Sequence, residues 1–270
     1  MPNAEPTFRE VLDALKREDQ ALRQEVESQP ASYAEQESFC SDWKNYQVIS
    51  HLGSGAEIFQ RTLESALDGR EALSPDARQA IWSYFDGLSP QEVYPQYRDR
   101  IGKLIAYLEA LPESKQNEIV PTFAGNLPLP RALLTRLNEM ALHVWDLRVK
   151  RDASARLDEK AAALLLPMVV DRLPNRAKRE GLDELRGRPV GFDISGPASS
   201  QFTLNPGTEN ATVEHGLPSN AAFTVKMSAE AFQRLVSGRE PIDKAVKVGT
   251  ATVSGDTSSM TALNKVFPGY

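Results

Sequence analysis

The stretch Glu139-Met-Ala-Leu-His-Val-Trp-Asp146 lies in a segment, 131–150, whose apolar residues recur at helical spacing. The stripe consists of Leu133, Leu137, Met140 and Val144. This periodicity predicts an amphipathic helix. Glu139 and His143 are four residues apart along one edge of the stripe, and side chains at that spacing lie about 6 Å apart on one helix face. A carboxylate and an imidazole placed in this way can bind one metal ion together.

A third candidate ligand comes from an earlier predicted helix. His51 is one of only three histidines, and it lies beside an apolar stripe that ends before Gly69. Inward side chains of neighbouring helices converge in a bundle, so we predict that His51, Glu139 and His143 bind a divalent metal, for which zinc is the best match. Three protein ligands leave a position for water or substrate. The alternative, on spacing alone, is an exposed Glu–His pair and a separately buried His51.

Asp146 is three residues beyond His143, on the same side of the predicted helix. It can therefore accept a hydrogen bond from a ligand imidazole and orient it. Alternatively, it is a helix-end charge paired with Arg148 or Arg151. The single cysteine, Cys40, excludes an internal disulfide and indicates a reducing, cytoplasmic location; we predict that it is structural.

The first half of the chain carries clear helix-start signals. Thr7 with Glu10 forms a predicted capping box, and two serine-proline pairs, Ser74-Pro75 and Ser89-Pro90, begin further helices. The predicted helices run from Thr7 to Gln29, through 48–67, through 81–85, through 101–108, over 131–150 and over 158–173. The segment 112–130 contains four prolines and is predicted to be a long loop. Four long helices favour an up-and-down bundle.

The hydrophobic period changes to two after Arg188, which predicts a small sheet. The predicted strands cover 190–194, 201–204, 211–213, 222–226, 246–248 and 251–253, and the predicted helices cover 229–236 and 260–267. Helices gathered beside a sheet form an α+β module. We therefore predict two domains, a helical bundle over 1–174 and an α+β domain over 188–270, joined by the charged segment 175–180.

Composition excludes several function classes. The formal net charge is −6, which argues against nucleic acid as a partner because phosphate binding needs concentrated Lys and Arg. The longest apolar run, 161–170, is too short to span a membrane, and no signal peptide is recognisable at the start. We expect a small-molecule partner. The oligomeric state is not indicated.

These motifs together resemble a known family. Trp43, then His51-Leu-Gly-Ser-Gly-Ala-Glu57, then the spacing of Glu139, His143 and Asp146 resemble the mycothiol-dependent maleylpyruvate isomerases. The resemblance implies an N-terminal DinB-like four-helix bundle in which His51, Glu139 and His143 hold a divalent metal, usually zinc. In the second half, the matching stretches are 192–196, 223–226, 235–239 and 253–256. They imply a C-terminal domain similar to sterol carrier protein type 2.

The resemblance also implies a function. It suggests a metal-dependent enzyme that activates a low-molecular-weight thiol such as mycothiol for addition to an electrophilic substrate, with cis-trans isomerisation as the result. Arg239 would then be a catalytic cation that clamps a substrate carboxylate; the alternative is a helix-ending arginine after Gly238. Thiol S-transfer, non-catalytic metal or small-ligand binding, and lipid carriage are the competing functions. The segment between Gly69 and Pro130 matches no substrate-binding motif.

Overall fold

The computed structural model describes residues 5–40, 42–122, 125–207 and 210–269. Contacts divide the chain into two compact units, one of residues 5–155 and one that begins at Arg156. The helix that the sequence predicts over 158–173 belongs to the second unit. The limits 1–174 and 188–270 stay a prediction for the folding domains.

The first unit is built on four long helices. Its helices are α1 (Phe8–Glu27), α2 (Asn45–Asp68), α3 (Pro75–Asp86), α4 (Pro90–Ala110) and α5 (Leu129–Arg148). The long helices pack as a bundle, in which α2 contacts α4 and α5 while α1 contacts α5 and α4. The short helix α3 packs against α2. The predicted helical bundle is confirmed.

Local signals explain where these helices begin and end. Thr7 and Ser89 form capping boxes with Glu10 and Glu92, which satisfies backbone N–H groups that have no partner within the helix. Helix α2 ends at Gly69, whose φ of 68° is a left-handed conformation that glycine adopts without steric cost. The apolar stripes of the long helices then close over one another to form the bundle core.

The proline-rich segment 112–130 is not simply a loop, and this part of the prediction is wrong. It contains a hairpin of β1 (Ile119–Thr122) and β2 (Gly125–Pro128), in which Val120 pairs with Leu127. Val120 is fully buried, and β1 packs against α2 and α5. The strand is therefore stabilised by contacts with the bundle. The number of prolines in the segment gives no information about such contacts.

The second unit combines a five-stranded sheet with short helices. The helices are α6 (Glu159–Asp171), α7 (Leu173–Arg176), α8 (Arg179–Glu184), α9 (Ala229–Val236), α10 (Ile242–Lys247) and α11 (Ala262–Val266). The strands are β3 (Val190–Ser195), β4 (Ser200–Asn205), β5 (Thr212–His215), β6 (Phe223–Ser228) and β7 (Ala251–Gly255). The order is β5-β4-β3-β6-β7, with β3 and β6 parallel and the other pairs antiparallel. The two-domain α plus α+β architecture is confirmed.

One local prediction in this half is wrong. Residues 246–248, predicted as a strand, lie at the end of helix α10 and just beyond it. The Asn264 side chain accepts a hydrogen bond of 2.8 Å from the backbone N–H of Ile242 and so caps this helix from a distant part of the chain. The join predicted over 175–180 contains the end of α7 and the start of α8, and as a domain join it stays a prediction.

The core of the second unit is aromatic. Phe192 and Phe202 from adjacent strands stack on each other, and Phe232 of α9 meets both rings edge to face, with all three centroid distances at 5.3 Å. These side chains are fully buried and fill the space between the sheet and α9. Within the described ranges, every helix is too short or too polar to cross a lipid bilayer.

Candidate metal centre

The fold brings together the three side chains that the sequence proposes as metal ligands. His51 extends from α2, and Glu139 and His143 extend from the facing α5. Glu139 Oε2 lies 3.2 Å from His51 Nε2 and 3.7 Å from His143 Nε2. One potential ligand atom from each residue lies within 4.8 Å of the other two. The two helices therefore present two imidazoles and one carboxylate to a common point.

Asp146 orients one of these imidazoles. Its side chain is completely buried, and Oδ2 lies 2.8 Å from His143 Nδ1. Because an ionised carboxylate only accepts hydrogen bonds, a neutral His143 that bonds Asp146 carries its proton on Nδ1, which leaves Nε2, the atom 3.7 Å from Glu139 Oε2, available to bind a metal. Arg151, which the sequence offers as a partner for Asp146, forms its ion pair with Glu25 at 2.7 Å.

The electrostatics of the cluster favour a charged carboxylate. Burial by itself would raise the pKa of Glu139. The hydrogen bond with His51, the charges that His143 and His51 carry when protonated, and the charge of Arg136 outweigh it and lower that pKa to about 2. The His51 and Glu139 side chains are 38% and 41% exposed, whereas His143 is 12% exposed. The cluster is therefore open to solvent on the side of His51 and Glu139.

A loop before α2 adds two residues to the surroundings of the cluster. Cys40 Sγ donates a hydrogen bond of 3.1 Å to Asp146 Oδ2, the oxygen that also faces His143, and lies 3.7 Å from His143 Nδ1. The Trp43 ring is tilted against the His51 ring with 5.5 Å between centroids. Cys40, His143 and Asp146 form a second group of potential metal-binding atoms.

The structural role that the sequence predicts for Cys40 stays a prediction, and the structure adds its contact with Asp146. The backbone N–H of Phe39 donates to the carbonyl of Asp146 at 3.1 Å, which fixes the loop to the end of α5. Cys40 is 106 residues from Asp146 in sequence, so no spacing rule links them. The signal that could have found it is the loop's proximity to Trp43, a residue already included in the family pattern.

The donor set fits a divalent metal. Two imidazoles and a carboxylate are the nitrogen and oxygen ligands that Zn²⁺ accepts in open sites, and a histidine ligand that bonds a buried carboxylate through its other nitrogen is typical of such centres. Asp146 supplies that bond to His143. The second group, around Cys40, uses the Nδ1 atom that already faces Asp146, so the His51, Glu139 and His143 group fits better.

The remaining candidate, Arg239, lies in the second unit. It follows Gly238, which has a φ of 69°, and its backbone N–H donates to the carbonyl of Arg234 at 2.8 Å. The side chain is 3% exposed. This placement matches the position at the end of a helix that the sequence indicates. The catalytic role of Arg239 stays a prediction.

Comparisons with known proteins agree with this architecture. Residues 11–148 match the family model of the mycothiol maleylpyruvate isomerase N-terminal domain, and residues 169–268 match that of the SCP-2 sterol transfer family. No curated protein matches the chain significantly.

Solved structures show the same fold. The crystal structure of the mycothiol-dependent maleylpyruvate isomerase is 18% identical, with a TM-score of 0.66, and the match covers 92% of this chain and 93% of that one. A histidine-to-alanine variant of that enzyme is 17% identical, with a TM-score of 0.65 over the same shares of both chains. With a family model that covers more than half of its length, this chain belongs to the mycothiol-dependent maleylpyruvate isomerase family.

Proposed function

We propose that the chain is a metal-dependent enzyme that uses a low-molecular-weight thiol, such as mycothiol, to isomerise an electrophilic substrate from cis to trans. The observation that carries the proposal is the convergence of His51, Glu139 and His143 within 4.8 Å of one another at a solvent-open position of the bundle. The family membership supports the same reaction type. Zinc is the divalent metal that we propose for the site.

The chain's own residues would prepare the site before any ligand arrives. Asp146 holds the proton of His143 on Nδ1, so that Nε2 is available as a ligand. The low pKa of Glu139 keeps its carboxylate ionised at neutral pH. A divalent metal held by these side chains supplies a Lewis acid that favours the thiolate form of a bound thiol.

The exposed side of the cluster is suited to substrate access. Glu139 and His51 keep about two fifths of their side-chain surface exposed, and Trp43, 37% exposed, provides an apolar face beside His51. A planar, conjugated substrate can pack on such a face. We therefore propose that substrate approaches on the side of Trp43 and His51 rather than on the buried side of Asp146.

Isomerisation through a thiol conserves every atom of the substrate. Addition of sulfur to one carbon of an activated double bond places a proton or electron pair on its neighbour and leaves a single bond that can rotate. Elimination of the same thiol restores the double bond in the other geometry. S-transfer differs only in the group that leaves, so it is the competing reaction for the same site.

Metal analysis tests the site. We expect purified protein, loaded with Zn²⁺ and dialysed, to retain metal stoichiometrically, and His143→Ala to lose it. His215→Ala is the matched control because His215 is an exposed histidine on β5 of the second unit. Metal retained at full stoichiometry in His143→Ala would overturn the site assignment.

Turnover tests the reaction. Maleylpyruvate and model electrophiles would be supplied with a panel of low-molecular-weight thiols, and products followed by chromatography and mass spectrometry. Isomerised product with unchanged thiol supports the proposal. Accumulation of a thiol conjugate would select the S-transferase, and metal binding without turnover of any pair would select a non-catalytic binding protein.

A further inference from the structure

A buried arginine lies directly behind the metal-binding cluster. Arg136 is on α5, one helical turn before Glu139, and is 5% exposed. Among the described residues, no carboxylate oxygen forms an ion pair with its guanidinium, and its Nε has no hydrogen-bond partner. Burying a cation without an ion pair costs folding free energy, so the buried position of Arg136 needs an explanation.

The contacts of Arg136 connect the two helices that carry the ligands. Its Nη2 donates a hydrogen bond of 2.5 Å to the backbone carbonyl of Leu52, the residue that follows His51 on α2. The same nitrogen contacts Met140 Sδ on α5 at 3.6 Å. A single rigid guanidinium thus joins the turn of α2 that carries His51 to the turn of α5 that carries Glu139.

The sequence provides the space for this link. A Cβ atom at Gly55 would lie 2.8 Å from Arg136 Nη1, so the guanidinium occupies the space that a side chain would fill. Gly55 is one turn beyond His51 on the same helix. The absence of a side chain at this position therefore allows the bond between Arg136 and Leu52.

We propose that Arg136 is a positioning residue that sets the distance between His51 on α2 and Glu139 on α5, and so determines the metal affinity of the site. The inference rests on the proposed metal centre and deepens it. Because metal affinity depends on ligand atoms held at closely defined distances, a shift of α2 relative to α5 weakens binding without removing any ligand.

Two glycine substitutions on α2 separate positioning from stability. In Gly55→Ala the new methyl group displaces the guanidinium and breaks its bond to Leu52. In Gly53→Ala, the matched control, the methyl group would lie 2.4 Å from Phe85 Cε1 on α3, a contact that does not involve Arg136. Alanine favours the helix equally in both variants, so the variants differ in the side chain that the new methyl group displaces.

Zn²⁺ affinity, measured by competition with a chromophoric chelator, is the readout, together with the melting temperature of each metal-free variant. We expect Gly55→Ala to raise the dissociation constant for Zn²⁺ about tenfold, as loss of supporting residues of metal sites does, and to lower the melting temperature no more than Gly53→Ala does. We expect Gly53→Ala to melt at a lower temperature and to bind Zn²⁺ like the wild type. Wild-type affinity in Gly55→Ala, or equal losses in both variants, would overturn the proposal.

Variants of the arginine itself complete the test. Arg136→Met removes the charge and the bond and leaves a shorter, unbranched apolar side chain. Arg136→Lys keeps the charge and an N–H donor group, so the lysine variant should recover part of the affinity. The double variant Gly55→Ala/Arg136→Met should bind Zn²⁺ no more weakly than Arg136→Met alone, since both changes remove the same hydrogen bond to the Leu52 carbonyl. Losses of Zn²⁺ affinity that add up in the double variant would indicate two separate interactions and contradict this expectation.

His143→Ala in the same series distinguishes the two proposals. If His143→Ala loses Zn²⁺ and the Gly55 and Arg136 variants do not, only the positioning role fails. If the wild type itself binds no Zn²⁺, both proposals fail.

Discussion

Two polar clusters in this molecule use similar residues in opposite ways. In the second unit, Arg234 donates to Glu230 through Nε and Nη2 at 2.9 Å each, and to Glu240 through Nη1 at 2.6 Å. These three side chains are at most 5% exposed. In the bundle, His51, Glu139 and His143 form an open cluster that is 12% to 41% exposed.

The difference lies in which partners satisfy the charges. The closed cluster contains its own cation, which bonds both carboxylates, and Arg156 and Lys244 lie 3.9 and 4.0 Å from Glu230 and Glu240. The open cluster is supported from behind by Asp146 and directs its remaining lone pairs to a common point. A closed network contributes to stability and specificity, whereas an open set of convergent ligand atoms is suited to binding. Four substitutions test this contrast between the two clusters.

The largest effect is expected in the closed cluster. Arg234→Met leaves two buried carboxylates without their cation, and the free energy of unfolding should fall by about 3–5 kcal/mol, as for other broken buried ion pairs. Chemical denaturation measures it. Adding Glu230→Gln and Glu240→Gln should recover much of the loss. A fall in Zn²⁺ affinity as large as the fall in stability would contradict the separation of the two clusters.

In the open cluster, Glu139→Gln should have the opposite profile. The substitution keeps the shape of the side chain and removes its charge, so Zn²⁺ affinity should fall by more than about 100-fold, the upper end of the range for supporting residues. The metal-free protein should lose some stability, because the low pKa of Glu139 reflects favourable charge interactions, but less than Arg234→Met does, because this side chain is 41% exposed. Chelator competition and thermal melting give the two values. Unchanged Zn²⁺ affinity would exclude Glu139 as a ligand.

Asp146→Asn should have a smaller effect on the same readout. The neutral amide no longer holds the His143 proton on Nδ1 electrostatically, and Zn²⁺ affinity should fall by about 10- to 100-fold. Asp152→Asn is the control, since that carboxylate accepts its hydrogen bonds from the backbone and side chain of the nearby Ser154. Equal Zn²⁺ affinities in the two variants would show that Asp146 contributes to packing and does not orient His143.

The smallest effect concerns Cys40, which shares the acceptor oxygen of Asp146 with His143. Cys40→Ala should weaken Zn²⁺ binding by roughly threefold, which corresponds to a hydrogen bond near the low end of about 0.5–1.5 kcal/mol. Cys40→Ser retains a donor and should bind like the wild type. A serine variant as weak as the alanine variant would show that the thiol acts through packing instead.

Much of the fold could be predicted from local signals. Gly69, Ser89 with Glu92, and the alternating residues of β3 and β6 each indicate an element through chemistry confined to a few positions. The failures depend on distant contacts. Residues 246–248 alternate like a strand, yet they form the end of a helix that Asn264 caps at its start. Val120 lies among prolines, yet it is buried where its strand packs against the bundle.

The same division applies to the site. Sequence alone determined the residue types, the four-residue spacing of Glu139 and His143, the presence of an imidazole on a second helix, and the family pattern that joins them. Helix periodicity is sufficient for this, because side chains four residues apart share one face in any regular helix.

Only the tertiary structure decided what surrounds those residues. It placed the half-buried thiol of Cys40 against Asp146, buried the guanidinium of Arg136 over Gly55, and left Glu139 and His51 exposed. None of these contacts is visible in a sequence pattern, because each joins residues about 80 or more positions apart whose distance is set by how helices and loops pack. Packing therefore determines which charged side chains are paired within the protein and which remain available to bind a ligand.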